Sequence, residues 1–159
     1  MNERKRLKSC CVTGHRDIAE DKIAYVVQTL RNEIEQAIKE GFNNFVSGFA
    51  PGADMIFARL VIEAQESYPD TDIMLEAALP YPNWLKNRKQ QDNELLSKCH
   101  AVGVHSTKYG PNCFMVRNRY MVRISERVLA VYDGREKGGT VNTMRYATAM
   151  ERELRQIEI

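Results

Sequence analysis

Short apolar runs alternate with helical segments along this chain, and this alternation restricts the possible fold more than any other feature. The runs that predict strands lie at residues 10–12, 44–47, 73–79, 101–105 and 128–132. Each contains a short apolar run rather than an apolar residue at every second position, which is typical of parallel strands covered on both faces. We therefore predict an α/β, Rossmann-like fold: a doubly wound, mainly parallel sheet of five or six strands with helices on both faces.

Several element boundaries follow from local signals. Asp17 and Glu20 resemble a capping box at the start of the first helix, which Gly41 would end. A third helix is predicted to begin at Trp84, and the last helix to run to about Leu154. Residues 156–159 either add a sixth strand or fray.

Bulk properties place the chain among ordinary globular domains. Its 159 residues are 43% apolar and 28% charged, which predicts one domain over residues 1–159. The net charge of +2 gives no global electrostatic reason to bind nucleic acid, although a local basic patch would still allow it. The four cysteines follow no disulfide or zinc spacing, and Cys10 and Cys11 are expected to be buried thiols. The charged start shows no leader peptide and no apolar run is long enough to span a membrane, so we expect a cytoplasmic protein.

The sequence SGFAPGAD joins the second strand to the second helix. Gly48 and Gly52 allow a sharp turn and a close approach by a ligand, and Pro51 suits a first helical turn. Free N–H groups at such a helix start bind phosphate or carboxylate, so we include Ser47 and Asp54 in the predicted site. The alternative is a plain strand-to-helix turn in which Asp54 only stabilises the first turn.

The first strand leads into the sequence TGHRD. Its imidazole and guanidinium, with the neighbouring hydroxyl and glycine, could bind a phosphate or a nucleobase; the candidates are Thr13, Gly14, His15 and Arg16. The alternative is a turn whose side chains point to water. Because ligands of wound sheets lie beyond the carboxyl ends of the strands, we expect TGHRD, SGFAPGAD and GREKGGT to converge there.

The sequence GREKGGT follows the fifth strand and Asp133. Gly138, Gly139 and Thr140 again offer backbone N–H groups and a hydroxyl to an anion at a helix start. The usual nucleotide signatures are missing: no GxGxxG follows the first strand and no GxxxxGK[ST] occurs. A dinucleotide dehydrogenase or a P-loop NTPase is therefore not expected.

A basic run covers the fourth loop and its helix. Guanidinium groups bind phosphates bidentately, and the candidates are Arg117, Asn118 and Arg119. Helical periodicity sends Arg117 and Arg119 to different faces, so at most one or two side chains of this run can meet a single ligand. The alternative is a solvated charged face.

Four segments taken together, CCVTGHR, SGFAPGAD, RNRYMV and YDGREKGGTVNTMRYA, resemble the YpsA-like branch of the SLOG superfamily of Rossmann-like domains. The resemblance covers residues 10–147. SGFAPGAD and RNR are also similar to the DNA-processing protein that loads recombinase onto single strands. The GGT loop is similar to cytokinin-releasing phosphoribohydrolases, which are often mislabelled lysine decarboxylases.

The resemblance implies a nucleotide or nucleotide derivative, related to NAD or ADP-ribose, as the ligand of these loops. It identifies no other cofactor and no metal, and it does not settle whether a reaction occurs. The phosphoribohydrolases carry a glutamate after PGGxGT; here the matching position is Thr143 or Arg145, depending on the alignment. Hydrolysis would then need Asp54, Glu76 or Asp133 as a substitute.

Three functions therefore stay open. The first is binding of a nucleotide-type small molecule, to sense or process it. The second is a phosphoribohydrolase-like enzyme acting on nucleoside monophosphates. The third is a single-stranded DNA-binding protein. No membrane partner is expected, and apolar residues on the last two helices would allow a homodimer.

Overall fold

The computed structural model describes residues 6–159; the first residues of the charged start, on which part of the leader prediction rests, lie outside the described residues. Six parallel strands form one sheet in the order β4-β3-β2-β1-β5-β6. The elements are β1 Ser9–Gly14, α1 Glu20–Lys39, β2 Asn44–Ser47, α2 Ala53–Ser67, β3 Met74–Leu79, α3 Gln90–Ser97, β4 Ala101–Val104, α4 Cys113–Ile124, β5 Arg127–Tyr132, α5 Gly139–Ala149 and β6 Glu153–Glu158. The predicted fold class is confirmed.

The strand order reverses between β1 and β5. From β1 the chain moves outward through β2, β3 and β4, then returns to place β5 on the other side of β1. Gly14 at the end of β1 pairs with Val131 near the end of β5. The carboxyl ends of these two strands are therefore where a wound sheet of this order opens a ligand crevice.

Helices cover both faces of the sheet, as predicted. Alternate residues of β1 point to opposite faces: Cys10 and Val12 pack in the larger core with α1 and α2, and Cys11 packs in the smaller core with α4 and α5. All four cysteines are free, and the prediction that Cys10 and Cys11 are buried thiols is confirmed. Burial raises the pKa of the Cys11 thiol to about 12 and so keeps it unreactive.

Two predicted helix starts are wrong. The residue that precedes α1 is Ala19, which makes no side-chain cap, whereas Asp17 lies near Arg135 instead of capping the helix. The third helix begins at Gln90, not at Trp84. Asn83 and Asn87 adopt left-handed backbone conformations, with φ of 65° and 67°, and these break the predicted first turns into a loop.

The predicted end of the last helix is also wrong. Helix α5 ends at Ala149, and Glu151 has a left-handed φ of 58° that turns the chain into β6. Leu154 lies in that strand, paired with Val128 of β5. The sixth strand is thus present and begins earlier than the sequence suggested. Among residues 6–159, no helix is both long and apolar enough to cross a membrane.

Candidate functional site

An open cleft of about 530 Å³ lies at the carboxyl edge of the sheet, beyond the end of β1. Its walls come from the end of β1, the loops that follow β1, β2 and β5, the starts of α2 and α5 and one side of α4. The lining residues are Val12, Thr13, Gly14, His15, Arg16, Asp17, Ala50, Asp54, Phe114, Arg117, Asn118, Arg135, Gly139 and Thr140. The predicted convergence of the three polar loops is therefore confirmed.

His15 links the three strand-end loops at the back of the cleft. Its ring is 5% exposed, Nε2 lies 3.0 Å from Asp133 Oδ1, and Nδ1 lies 3.4 Å from the Thr140 hydroxyl. The backbone N–H of Asp133 also points to Nε2, at 3.1 Å. Arg135 in turn holds the Asp133 carboxylate, with Nη2 2.6 Å from Oδ2.

These contacts leave His15 able to carry its proton on either nitrogen. A proton on Nε2 is donated to the Asp133 carboxylate, while a bare Nε2 accepts the Asp133 backbone N–H. Burial lowers the pKa of His15, opposed by the charge of Asp133, so the ring is neutral near pH 7. Hydrogen bonds from Arg135 hold the pKa of Asp133 below its usual range, so this carboxylate stays ionised.

Arg16 is the exposed cation at the cleft mouth. Its guanidinium carbon lies 5.3 Å from the Trp84 ring centroid and 5.1 Å from that of Phe114, so two aromatic rings orient it. Among residues 6–159, no carboxylate pairs with it. A cation that is held in place but not neutralised is suited to an anionic ligand.

Arg117 and Asp54 are both buried in the wall of the cleft, where their charges interact. The Arg117 guanidinium donates to the carbonyl oxygens of Gly48 and Ala78 at 2.6 and 3.2 Å. Burial raises the pKa of Asp54 to about 6, although the charge of Arg117 opposes this. Arg117 thus holds two strand ends in place, whereas Asp54 can exchange a proton near neutral pH.

The SGFAPGAD loop uses several of its polar groups within the chain. The N–H of Ala53 donates to His15 O at 3.2 Å, and that of Ala50 donates to Asp54 Oδ2 at 3.2 Å. The Ser47 hydroxyl donates to the carbonyl of Asp54 at 2.9 Å. These atoms stabilise the turn, so this helix start has fewer free groups for an anion than the sequence suggested.

The glycines of that loop are close-packed by the protein itself. A Cβ on Gly48 would lie 2.4 Å from Arg117 Nη1, and one on Gly52, where φ is +84°, would lie 2.4 Å from His15 O. Neither Gly48, Gly52 nor the exposed Pro51 lines the cleft. Packing against Arg117 of α4 and against the chain after β1 explains why these two positions are glycine.

The start of α5 is more open. Gly138 precedes the helix with a φ of +127°, and a Cβ on Gly139 would meet nothing within 4 Å. Gly139 and Thr140 line the cleft, so backbone and hydroxyl groups here are accessible to a ligand. Thr143 is buried with its hydroxyl donating to Gly139 O at 2.8 Å, and no carboxylate replaces the phosphoribohydrolase glutamate at this position or at Arg145.

Sequence reasoning missed Phe49 and Phe114, two of the aromatic residues that support the cleft. Phe49 is fully buried in a left-handed conformation, with φ of 54°, and its carbonyl accepts bonds from Trp84 Nε1 and Arg88 Nη1, both at 3.0 Å. Phe114 lines the cleft beside Arg16. A non-glycine left-handed residue has no sequence signal of its own, but the Phe114 position beside RNR could have been noticed.

The predicted site residues fall into two groups. Those lining the cleft are Thr13, Gly14, His15, Arg16, Asp54, Arg117, Asn118, Gly139 and Thr140. Those outside its lining are Ser47, Gly48, Pro51, Gly52, Arg119, Asp133 and Gly138. Arg119 lies on the exposed side of α4, so the prediction that Arg117 and Arg119 occupy different faces is confirmed. Residues 6–159 contain no cluster of three or more His, Cys, Asp or Glu side chains that could hold a metal.

The fold and these loops can now be compared with known proteins. A family model described as the YspA SLOG family matches residues 10–159. The chain belongs to the YspA SLOG family. The resemblance identified from the sequence is thereby confirmed. A UPF0398 protein of Bacillus cereus (strain G9842) is 24% identical over 122 residues, which are 73% of this chain and 65% of that relative. The chain thus spans slightly less than two thirds of this relative's length.

Two solved structures share the fold of this SLOG domain. DNA processing protein A from Streptococcus pneumoniae matches with a TM-score of 0.69 and 17% identity, over 94% of this chain and 50% of that one. A Helicobacter pylori DNA processing protein A, described with a single-stranded DNA binding mode, matches with a TM-score of 0.63 and 18% identity, over 94% and 64%. At this identity the likeness establishes the fold alone.

Proposed function

We propose that this SLOG domain binds a nucleotide or a nucleotide derivative, of the NAD- or ADP-ribose-related kind, in the cleft between β1 and β5. The proposal rests on the position of Arg16 at the mouth of a cleft of about 530 Å³. Two aromatic rings orient this cation, and no carboxylate among the described residues pairs with it. Cavities of this size ordinarily hold one small ligand. The strand order supports the same position, because it reverses there.

The proposal assigns different tasks to the predicted residues. Arg16 neutralises a phosphate, and the Gly139 backbone with the Thr140 hydroxyl bonds to it at the α5 start. Asp54 bonds to the sugar or the base from the rear wall, and His15 holds the Thr140 hydroxyl and the Asp133 loop in position. The remaining lining residues, Thr13, Gly14, Asn118 and Arg117, shape the wall, while Ser47, Gly48, Pro51, Gly52, Asp133 and Gly138 act indirectly by holding these groups in position.

A ligand screen by thermal shift and calorimetry tests the proposal with AMP, ADP-ribose and NAD as probes. A ligand at 100 times its Kd should add about 2.7 kcal/mol to the free energy of unfolding. Arg16→Gln should weaken binding by about 10- to 100-fold, because a charge-assisted hydrogen bond contributes about 1.5–3 kcal/mol.

The matched control is Lys39→Gln, which removes an exposed cation from the end of α1, at the opposite edge of the sheet. It should leave ligand affinity unchanged. No stabilisation by any of the probes, or equal affinity in wild type and Arg16→Gln, would refute the proposed site.

A second candidate function is binding of single-stranded nucleic acid. It is favoured by the aromatic group around Arg16: Trp84, Phe114 and the 68% exposed Tyr109, whose ring centroid lies 6.4 Å from that of Phe114. Aromatic rings beside an arginine are a common platform for stacked bases. Fluorescence anisotropy with a short dT oligonucleotide tests this, because affinity should fall by about 0.7 decades per phosphate contact for each decade of salt. A flat salt response would exclude it.

A further inference from the structure

A second cavity, which we call the groove, adjoins the cleft between α4 and α5. It has about the same volume, 530 Å³, and it shares Phe114, Asn118 and Gly139 with the cleft. The two cavities are therefore neighbours across one wall. Gly139, at the start of α5, lies at their junction and has open space where a Cβ would be.

The groove combines an apolar floor with uncompensated positive charge. Met115, Tyr146 and Ala149 line it together with Arg119 and Arg145. Within residues 6–159, neither arginine forms an ion pair with a carboxylate, and the Arg119 guanidinium lies 5.1 Å from the Tyr146 ring centroid.

The charge of the groove differs from that of the cleft. In the cleft, Asp17 and Asp54 offset part of the positive charge, whereas the groove has two arginines and no acidic residue in its lining. Two like charges held close together repel each other, and an anion between them removes that repulsion. The groove thus fits a group that carries negative charge and has a flat or apolar part for Tyr146 and Met115.

We propose that the groove is the second subsite of one ligand that also fills the cleft, and that this ligand is a dinucleotide. The inference rests on the proposed function of the cleft. One nucleoside lies in the cleft, the first linking phosphate passes the start of α5 at Gly139, the second phosphate lies between Arg119 and Arg145, and the second nucleoside packs on Tyr146. Each cavity alone is of a size that holds one small ligand, and the two adjoin at three shared lining residues.

A long polyanion fits this surface less well than a dinucleotide. The lining of the groove ends at Ala149, and the exposed side chain two residues further, Glu151, is acidic. A nucleic-acid strand leaving the groove in that direction would meet like charge. A ligand that ends within the groove would not meet this charge.

Calorimetry with AMP and NAD on the full chain tests the proposal, because NAD is a dinucleotide and AMP is one half of it. NAD should bind the wild type at least 10-fold more tightly than AMP. The double variant Arg119→Gln, Arg145→Gln should remove most of that advantage and leave the AMP affinity within 2-fold. The matched control is Arg123→Gln, an exposed arginine of α4 that lines neither cavity, and it should change neither affinity.

Each other outcome would overturn the proposal in a distinguishable way. Equal affinity for AMP and NAD, or equal loss of affinity for both in the double variant, overturns the second subsite and leaves the cleft proposal standing. If neither probe binds, both proposals are overturned. If the double variant weakens the binding of a dT oligonucleotide but not of the two nucleotides, the groove binds a nucleic-acid strand instead. If sedimentation shows a dimer that this variant dissociates, a second copy covers the groove.

Discussion

Replacing Arg117 with methionine should destabilise the fold strongly, although the residue is in a basic run that the sequence associates with a ligand. Arg117 is 3% exposed and donates to Gly48 O and Ala78 O. Methionine fills much of the same volume but donates nothing. Each lost bond from a charged donor costs about 1.5–3 kcal/mol. We expect the free energy of unfolding to fall by about 3–6 kcal/mol, because both bonds from this buried cation are lost.

The size of this loss should depend on pH through Asp54. The folded pKa of Asp54 is about 6, so its carboxyl is mostly protonated at pH 5 and ionised at pH 8. Without Arg117, an ionised Asp54 would be buried with its largest compensating charge removed. The Arg117→Met variant should therefore lose more stability at pH 8 than at pH 5, relative to the wild type at the same pH.

Urea unfolding at pH 5 and pH 8, followed by circular dichroism, measures both effects. Arg119→Met is the matched control, because it removes an exposed guanidinium two residues away on the same helix. It should change stability by less than about 0.5 kcal/mol, as surface substitutions usually do. Equal losses for the two variants, or a loss for Arg117→Met that is larger at pH 5, would refute the structural role assigned to Arg117.

Two further changes test other parts of the site. Gly14→Ala should lower stability by about 1–3 kcal/mol in urea unfolding, since its Cβ would lie 2.4 Å from that of Ala53. Gly110→Ala, where a Cβ meets nothing within 4 Å, should show no comparable loss, and a similar result for both would contradict the packing argument. The Asp54 carboxyl keeps its proton to about pH 6 in the folded wild type, whereas the unfolded chain releases it near pH 4. The free energy of unfolding of the wild type should therefore fall as the pH rises from about 4 to 6, and Asp54→Asn should reduce this fall by up to about 3 kcal/mol. A wild-type pH profile as flat as that of the variant would refute the raised pKa.

The sheet could be predicted from the sequence because buried parallel strands are apolar over their whole length. Residues 128–132 illustrate this, since the predicted strand is apolar and differs from β5 only by Arg127 at its start. The third helix could not be placed in the same way. Its predicted start depended on Trp84, whose indole N–H instead bonds to the carbonyl of Phe49, 35 positions earlier in the chain. The helix propensity of a local segment gives no information on contacts between residues so far apart in the chain.

The candidate site was predicted in part, because side-chain chemistry and loop position are both visible in the sequence. Thr13 to Arg16 and Gly139 to Thr140 line one cleft, as the strand-end argument requires. Which arginine is buried was not predictable. Periodicity separates Arg117 from Arg119, but only the position of the Gly48 and Ala78 carbonyls decides which guanidinium faces inward.

The glycines show most clearly what the sequence alone does not reveal about the site. A glycine that makes room for a ligand and one that makes room for the protein itself have the same sequence signal, because each only requires that no Cβ be present. The atoms that lie in the Cβ direction distinguish them. At Gly48 that space holds the Arg117 guanidinium, at Gly52 it holds the His15 carbonyl, and at Gly139 it is open. The first glycine loop is therefore a packing junction that builds the cleft, and the second is the loop that leaves its backbone accessible to a ligand.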